Sequence, residues 1–444
     1  MGGGLIQLIA IGEQDKFITG KPQITFFKSI YKRHSNFAME PKAQIFSGGV
    51  NFGQLNSCAV SKDGDLISGM AIHINLGSLN NNVKKENNNI CISNIDLNCY
   101  CNKCIENKQG TVFSWVNGIG HAIIEYIEIE IGGHIIDKQY GEWFDIWTEL
   151  TQNYEKKAAY YELIGKKDPG GFSIKSFQKE MELIIPLNFW FCKNIGLSIP
   201  CISITNHDIK VNIKWRQFDQ LWISNSSTDK PKVPEIKASL LIDYVYLDLY
   251  ERKKFAKENH YYLIEQVQAN GDYYFQKNNK SPIIKLNFYH PVKEIIWAIQ
   301  RADVLIRSKN NDDDDFSYGN DWFNFSNSKN FTSSGIDDVF DTAVLQINGS
   351  ERFNHLPAKY FRLYQPYKYH TKCPNNFVYV YSFALKPEEH QPTGACNFSN
   401  FDNSRLVMNM KQKNILSDYI IKTYAVSYNL LIVTKGMVGL GFTC

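Results

Sequence analysis

The 444-residue chain contains no apolar run of the roughly 18–20 residues that a membrane-spanning helix needs. Its greasiest stretch, near Leu240–Leu249, is interrupted by Asp243 and Asp248, so no helical membrane anchor is expected. Net charge is nearly absent too, with 48 Lys and Arg against 45 Asp and Glu. A protein that coats nucleic acid gains affinity by neutralising phosphates with clustered cations, so direct contact with nucleic acid is not expected. Ten cysteines are too few for a disulfide scaffold. Cys58, Cys192, Cys201, Cys373, Cys396 and Cys444 are scattered, and most read as buried thiols acting as small apolar groups. The opening Met1-Gly2-Gly3-Gly4-Leu5-Ile6 lacks the basic start and long apolar core of a secretory signal. Ile6 also stands where a myristoylation site carries Ser or Thr, and synthesis in the cytosol is the expectation. There is no phosphate-binding loop and no His-Glu-x-x-His. The Gly436-x-x-Gly439-x-Gly441 tail is no dinucleotide motif, because no helix can follow it.

Aromatic residues, by contrast, are plentiful: 25 Tyr and 28 Phe favour pleated, half-buried surfaces and point to β structure. Ile127-Glu128-Ile129-Glu130-Ile131 alternates apolar and polar, as a strand with one buried face does. Gly132-Gly133 then signals a two-residue turn before Ile135-Ile136. Val211–Trp215 alternates likewise, as do parts of Val378–Leu385 and Tyr424–Val433. Helical patterns are few. Glu142–Leu150 places Trp143, Phe144, Trp147 and Leu150 on one face, and Tyr154–Ile164 reads as its continuation. Leu356–Tyr364 is a short candidate with Pro357 in the first turn.

The chain repeats itself. Glu128–Ile131, the Gly132-Gly133 turn and a helix recur in order as Val344–Ile347, an Asn348-Gly349 turn and the Leu356–Tyr364 candidate, about 216 residues on. Pro186–Phe191 leading to Asn206–Lys214 has its counterpart in Val380–Leu385 leading to Asp402–Met410. Two copies of one all-β unit of about 200 residues fit the length. The expected division is residues 1–223, a linker at 224–237 with Ser226-Ser227, Pro231 and Pro234, and a second unit at 238–444. Two stretches break the strand rhythm, Leu79–Gly110 and Arg307–Gly335, and read as long surface loops.

Several blocks resemble the major capsid proteins of the nucleocytoplasmic large DNA viruses, in that family's order and across nearly the whole chain. They include Pro22-Gln23-Ile24-Thr25-Phe26-Phe27-Lys28, Tyr31-Lys32-Arg33-His34 and Leu241-Ile242-Asp243-Tyr244-Val245-Tyr246-Leu247-Asp248. The most specific is Phe383-Ala384-Leu385-Lys386-Pro387-Glu388-Glu389-His390-Gln391-Pro392-Thr393-Gly394, followed by Cys396-Asn397-Phe398-Ser399. The resemblance implies an all-β fold of two tandem eight-stranded jelly rolls with short helices and long surface loops. It also implies a homotrimer giving a pseudo-hexagonal capsomer for an icosahedral shell. Neighbouring capsomers would surround it, with minor capsid proteins and an internal membrane beneath, and no direct nucleic acid contact.

Other features carry a chemical reading beside a structural one. Glu388, Glu389 and His390 could divide acid and base roles, but they sit between Pro387 and Pro392 and are expected to form a rigid corner or trimer contact. Cys91, Cys99, Cys101 and Cys104 share one loop and could hold a structural Zn²⁺ or form a disulfide staple, although Cys-x-Cys-x₂-Cys is not a standard knuckle and free thiols are the other reading. Asp312–Asp315 lacks the spacing of a calcium loop and reads as a solvated tip. Lys28, Lys32, Arg33, His34 and Lys42, interleaved with Phe26, Phe27, Tyr31 and Phe37, could bind nucleic acid or anionic lipid, or simply surround aromatics packed in the first barrel. Asn225, Asn324, Asn330, Asn348 and Asn397 head glycosylation tripeptides, which matter only in a secreted protein. The expectation is a structural virion protein with no catalytic residues. A carbohydrate-binding or carbohydrate-active jelly roll is the alternative.

Overall fold

In a computed structural model, residues 3–79, 113–167, 179–224, 230–305, 319–327, 338–411 and 417–443 are described. Cys91–Cys104, Asp312–Asp315, Asn225 and Asn330 lie outside them. The chain forms two units, Met1–Phe37 and Ala38–Cys444. The first holds two short helices, Gly3–Ile9 and Glu13–Thr19; in the second helix the Thr19 hydroxyl donates to the Asp15 carbonyl at 2.8 Å.

Sixteen main strands build the second unit. Eight come from the first half of the chain: β1 (Phe37–Ile45), β2 (Leu55–Val60), β3 (Leu66–Leu76), β4 (Ile124–Ile131), β5 (His134–Tyr140), β6 (Met181–Pro186), β7 (Ile209–Trp215) and β8 (Ile236–Leu247). Eight follow: β9 (His260–Phe275), β10 (Ile283–Lys285), β11 (Pro291–Arg301), β12 (Phe340–Ile347), β13 (Ser350–Glu351), β14 (Val378–Ser382), β15 (Ser404–Met410) and β16 (Tyr419–Thr434). The first set makes two sheets of order β1-β8-β3-β6 and β2-β7-β4-β5. The second makes β9-β16-β11-β14 and β10-β15-β12-β13, the same orders with eight added to every label. This is a double jelly roll. The internal repeat is thereby explained: Glu128–Ile131 and Val344–Ile347 are β4 and β12, fourth strands of their sandwiches.

The alternating patterns fold as strands with one wet face. β7 buries every second residue, and Gly132, at φ 60°, makes the β4–β5 turn where a Cβ would collide with the His207 ring. β11 departs from alternation and is buried from Val292 to Arg301. Its run Ile295-Ile296-Trp297-Ala298-Ile299 is what a strand covered on both faces requires. All eight tryptophans are buried or nearly so, six of them completely. The aromatic richness therefore fills two cores.

Three expectations need correction. β8 lies inside the second unit expected at 238–444, yet it hydrogen-bonds to β3 along Ile236–Val245 and completes the first sandwich. The crossing between sandwiches falls later, at helix α3 (Leu249–Lys257), which Asp248 caps by accepting from the Glu251 amide at 2.8 Å. Asp248 thus ends the strand and starts the helix. Secondly, the Leu356–Tyr364 candidate starts later and runs further: Leu356–Pro357 pairs with Thr342–Ala343 as a short strand, and helical turns follow directly from Ala358 to Tyr369. Thirdly, the Arg307–Gly335 stretch is not wholly surface decoration. Asn320, Trp322, Phe323, Asn324 and Phe325 are buried, and Asn320 donates to the Asp219 and Trp222 carbonyls at 3.0 and 2.9 Å.

Helix α1 (Gly141–Thr151) connects β5 toward β6, and α2 (Lys157–Leu163) follows after a break at Gln152-Asn153. α1 belongs to the first sandwich by sequence, but Trp143, Ile146, Trp147 and Leu150 pack in the core of the second. Only Phe144 turns into the first core, so the expected single face is divided. Trp143 stacks on Trp147 and meets Tyr424 of β16, each at 5.4 Å between ring centroids. Trp143→Ala is expected to cost about 3–5 kcal/mol of unfolding free energy. Tyr154→Ser, at an exposed ring, should stay within about 0.5 kcal/mol. Thermal denaturation of both variants checks the contrast.

Candidate functional site

The seam between the sandwiches centres on α1. Gly141 starts the helix where a Cβ would collide with the carbonyl oxygens of His121 and Ile124, so only glycine admits this close approach. From there every residue to Leu150 is buried, including Glu142, Asp145 and Glu149. Each carboxylate meets cations. Glu142 accepts from Arg216 of the first sandwich at 3.0 Å and from Lys422 of the second at 3.1 Å. Glu149 accepts from Lys372 of the second half at 3.0 Å, from Lys166 at 3.3 Å and from the Tyr161 hydroxyl at 2.7 Å. Asp145 pairs with Lys166. The Arg216 guanidinium also lies 3.6 Å from the Trp322 ring centroid.

Burial would push the Glu142 carboxyl up, but Lys422 and Arg216 outweigh it and hold it at about 2. Glu149 is likewise held low against burial by Lys166 and Lys372. A cavity of about 530 Å³ opens beside Glu142, with Tyr126, Gln217, Asp272, Trp322 and Lys422 in its walls.

Further contacts pin the sandwiches elsewhere. The Val267 amide of β9 donates to Asp137 of β5 at 3.0 Å, and Gln266 donates to the Ile136 carbonyl. Burial pushes the Asp137 carboxyl up to about 6 against the Val267 and Gln139 donors. Lys193 reaches Glu265 at 3.2 Å, which Lys293 also contacts. The glycine-rich tail forms a strand, Met437–Leu440, on β16. There the Asn206 amide donates to the Gly436 carbonyl at 3.0 Å and the Val438 amide to the His207 ring at 3.1 Å.

The Lys386–Gly394 block is a corner in which the carboxylates part. Glu388 faces His370 at 3.0 Å and accepts from the Thr371 amide at 2.8 Å, whereas Glu389 faces Lys386 at 2.8 Å. His370 also lies 3.0 Å from Glu294 on β11. Burial would lower the His370 imidazole, but Glu294 and Glu388 raise it to about 9. His390 is not drawn into this group. The five cysteines described, Cys58, Cys192, Cys201, Cys373 and Cys396, are free and buried or half-buried, and burial raises their thiols, Cys192 and Cys201 to about 12. Among the described residues no His, Cys, Asp and Glu group could hold a metal, and no helix is long and apolar enough to cross a membrane. Of the tripeptide asparagines, Asn324 is buried and Asn348 sits on an exposed turn. The basic cluster divides. Lys42 lies in β1 beside Glu40 and Asp63, whereas Phe26, Phe27 and Tyr31 are exposed and not part of a barrel core.

Sequence reasoning missed Glu142, Asp145, Glu149, Arg216, Lys372 and Lys422. One signal was present: the three acids recur at i, i+3 and i+7 of a helix otherwise almost all apolar.

Two sandwiches of one strand order, locked by a shared buried helix, define a double jelly-roll protein. Residues 25–248 match the family described as major capsid protein N-terminus, and residues 251–439 match large eukaryotic DNA virus major capsid protein. The major capsid protein of Pyramimonas orientalis virus is 36% identical over 476 residues, covering both chains in full. That of Paramecium bursaria Chlorella virus 1 is 30% identical, also over both full chains. A chain of the PBCV-1 virus capsid superposes with a TM-score of 0.74 at 26% identity, over 95% of this chain and 100% of that one. The Faustovirus major capsid protein shares the fold, with a TM-score of 0.71 at 13% identity over 96% and 94% of the two chains. The chain belongs to the major capsid protein family of large eukaryotic DNA viruses. It is a structural protein of the virion shell and not an enzyme.

Glu142→Ala leaves Arg216 and Lys422 buried together and is expected to cost about 3–5 kcal/mol. Methionine at both cation positions in the same variant should recover part of the loss. Because the Glu142 carboxyl is held below its ordinary 4.5, its contribution is present above pH 4.5 and lost as pH falls toward 2. Chemical denaturation across that window should show a shallower acid slope for Glu142→Gln. His370 has the opposite sign: its contribution is complete below pH 6.5 and disappears as pH rises through about 9. Hydrogen exchange in residues 383–394 should accelerate across that rise, and His370→Gln should remove the transition.

Proposed function

We propose that three copies associate into a closed trimer, so that six jelly rolls form a pseudo-hexagonal tile of the icosahedral shell. The observation that carries this is the duplication. One chain presents two sandwiches of the same strand order, and three-fold symmetry turns two such walls into six. The seam supports the reading, because a tile keeps its outline only if its two walls cannot hinge. Exposed aromatic and apolar side chains near the second sandwich's helical turn, Leu363, Tyr364 and Tyr367, supply area of the kind obligate interfaces bury. The tile meets neighbouring capsomers at its edges and minor capsid proteins above an internal membrane at its base. The chain is made in the host cytoplasm and carried into the virion.

Size-exclusion chromatography with light scattering should give one species of roughly 153 kDa, three times the 51.1 kDa chain. A folded monomer that persists on dilution to nanomolar concentration would overturn the trimer.

A further inference from the structure

The seam is closed around α1 but not along its whole length. The cavity of about 530 Å³ that interrupts it lies within the roughly 300–1,000 Å³ range of small-ligand sites. The start of β4, the end of β5 and the residues just past β7 supply one wall. The end of β9 and the start of β16 supply the other. These all belong to one end of the two sandwiches, the end from which the long connections after β3, β5 and β11 depart. On the rim, Tyr274 is 68% exposed and the Asp272 side chain 42%. The floor holds Trp322 and Tyr424, both buried, beside the Arg216–Glu142–Lys422 group.

The backbone of β9 is shaped for this opening. Its pairing with β16 slips between Ala269 and Asp272, a β-bulge with Gly271 at φ 78° and open space where a Cβ would stand. Bulges re-aim side chains and are frequent beside functional sites. Asn270 fixes this one, donating to the Lys285 carbonyl at 2.6 Å and accepting from the Asn287 amide at 2.9 Å.

The charges decide what the cavity takes. Arg216 and Lys422 are both engaged by Glu142, at 3.0 and 3.1 Å, so an anion meets no free cation there. A metal ion lacks a ligand set, because no three His, Cys, Asp or Glu side chains converge among the described residues. What is left is directional and nearly neutral. Among the described residues Gln217 and Gln220 hydrogen-bond only through their backbones, which leaves both side-chain amides open. Asp272 meets Lys422 only at 3.9 Å. Trp322 is held in place, with its indole N–H donating to the Gln220 carbonyl at 2.8 Å and Arg216 over its ring.

We propose that this cleft binds a neutral saccharide of one or two rings, with Tyr274 as its platform and Asp272, Gln217 and Gln220 as partners for its hydroxyls. A sugar ring has an apolar face that lies on an aromatic ring. Its hydroxyls both donate and accept, which amide and carboxylate side chains match. The inference goes beyond the trimer reading, because one chain completes the cleft.

The test is saturation-transfer NMR on the full chain in its assembled state, with cellobiose, lactose, chitobiose and mannobiose as neutral probes and sialyllactose as an anionic one. At least one neutral disaccharide is expected to bind, equally well at about 0.5 M salt, since no ion pair is screened. Asp272→Asn and Gln217→Ala/Gln220→Ala should each weaken that binding roughly tenfold. Tyr274→Ala should weaken it at least as much, whereas Tyr261→Ala, at a ring 63% exposed near the other end of β9, should not. Binding of no neutral disaccharide, binding of sialyllactose alone, or wild-type binding by Tyr274→Ala would each overturn the proposal. So would an equal loss in Tyr261→Ala, which would make the contact a general one with exposed rings. Light scattering on each variant reports assembly separately, so a lost cleft and a lost trimer are distinguishable.

Discussion

The arrangement depends on one buried helix whose carboxylates are all matched. α1 lies between two sandwiches with no face to water, and at Glu142 and Glu149 it takes a cation from each half of the chain. Burying an unpaired charge costs several kcal/mol, so these groups tolerate only the geometry in which Arg216, Lys422, Lys166 and Lys372 arrive together. Apolar packing of Trp143 and Trp147 supplies attraction but would permit sliding. The ion pairs fix the register of one sandwich against the other. For a shell protein, that is the difference between two domains on a string and one rigid tile.

The duplication is thus exact in strand order and unequal in use. Both copies carry a helical excursion between their fifth and sixth strands, α1 in the first and Tyr360–Tyr369 in the second. The first is swallowed by the seam. The second sits on its own sandwich, with Phe361 in the core and Tyr364 and Tyr367 outward. The same slot in the fold serves internal rigidity in one half and an outward face in the other. The corner closed by His370, Glu294 and Glu388 follows the second excursion and braces it against β11.

Much of this was legible in residue order. Alternation in Ile127–Ile131 and Val211–Trp215 marked strands whose one face is wet, and the recurrence of strand, turn and helix marked the duplication. What stayed hidden depends on contacts far apart in sequence. β8 reads as the start of the second half because it follows a Pro- and Ser-bearing stretch, and only its pairing with β3 assigns it to the first. β11 shows no alternation because it is buried on both faces from Val292 to Arg301, inside the core of the second sandwich. Trp322 and Asn320 sit in a stretch whose polar neighbours look like a loop, and their burial comes from Arg216 and the Asp219–Trp222 carbonyls, about a hundred residues upstream. Of the seam, the spacing of three acids on an apolar helix was visible, but not their partners. Of the basic cluster, the composition was visible, but not that Lys42 belongs to a strand.

The ownership of α1 has a consequence for how the chain is made. Synthesis delivers Trp143, Trp147 and the three carboxylates long before Lys372, Lys422 and Tyr424 leave the ribosome. During that interval the first sandwich can close its strands, but it carries an apolar, acidic helix with nothing to receive it. Partially made chains therefore expose one defined apolar, acidic surface, and a folding helper would have to shield α1 until the last strand emerges. The seam that makes the two sandwiches one rigid body can close only once β16 has been made.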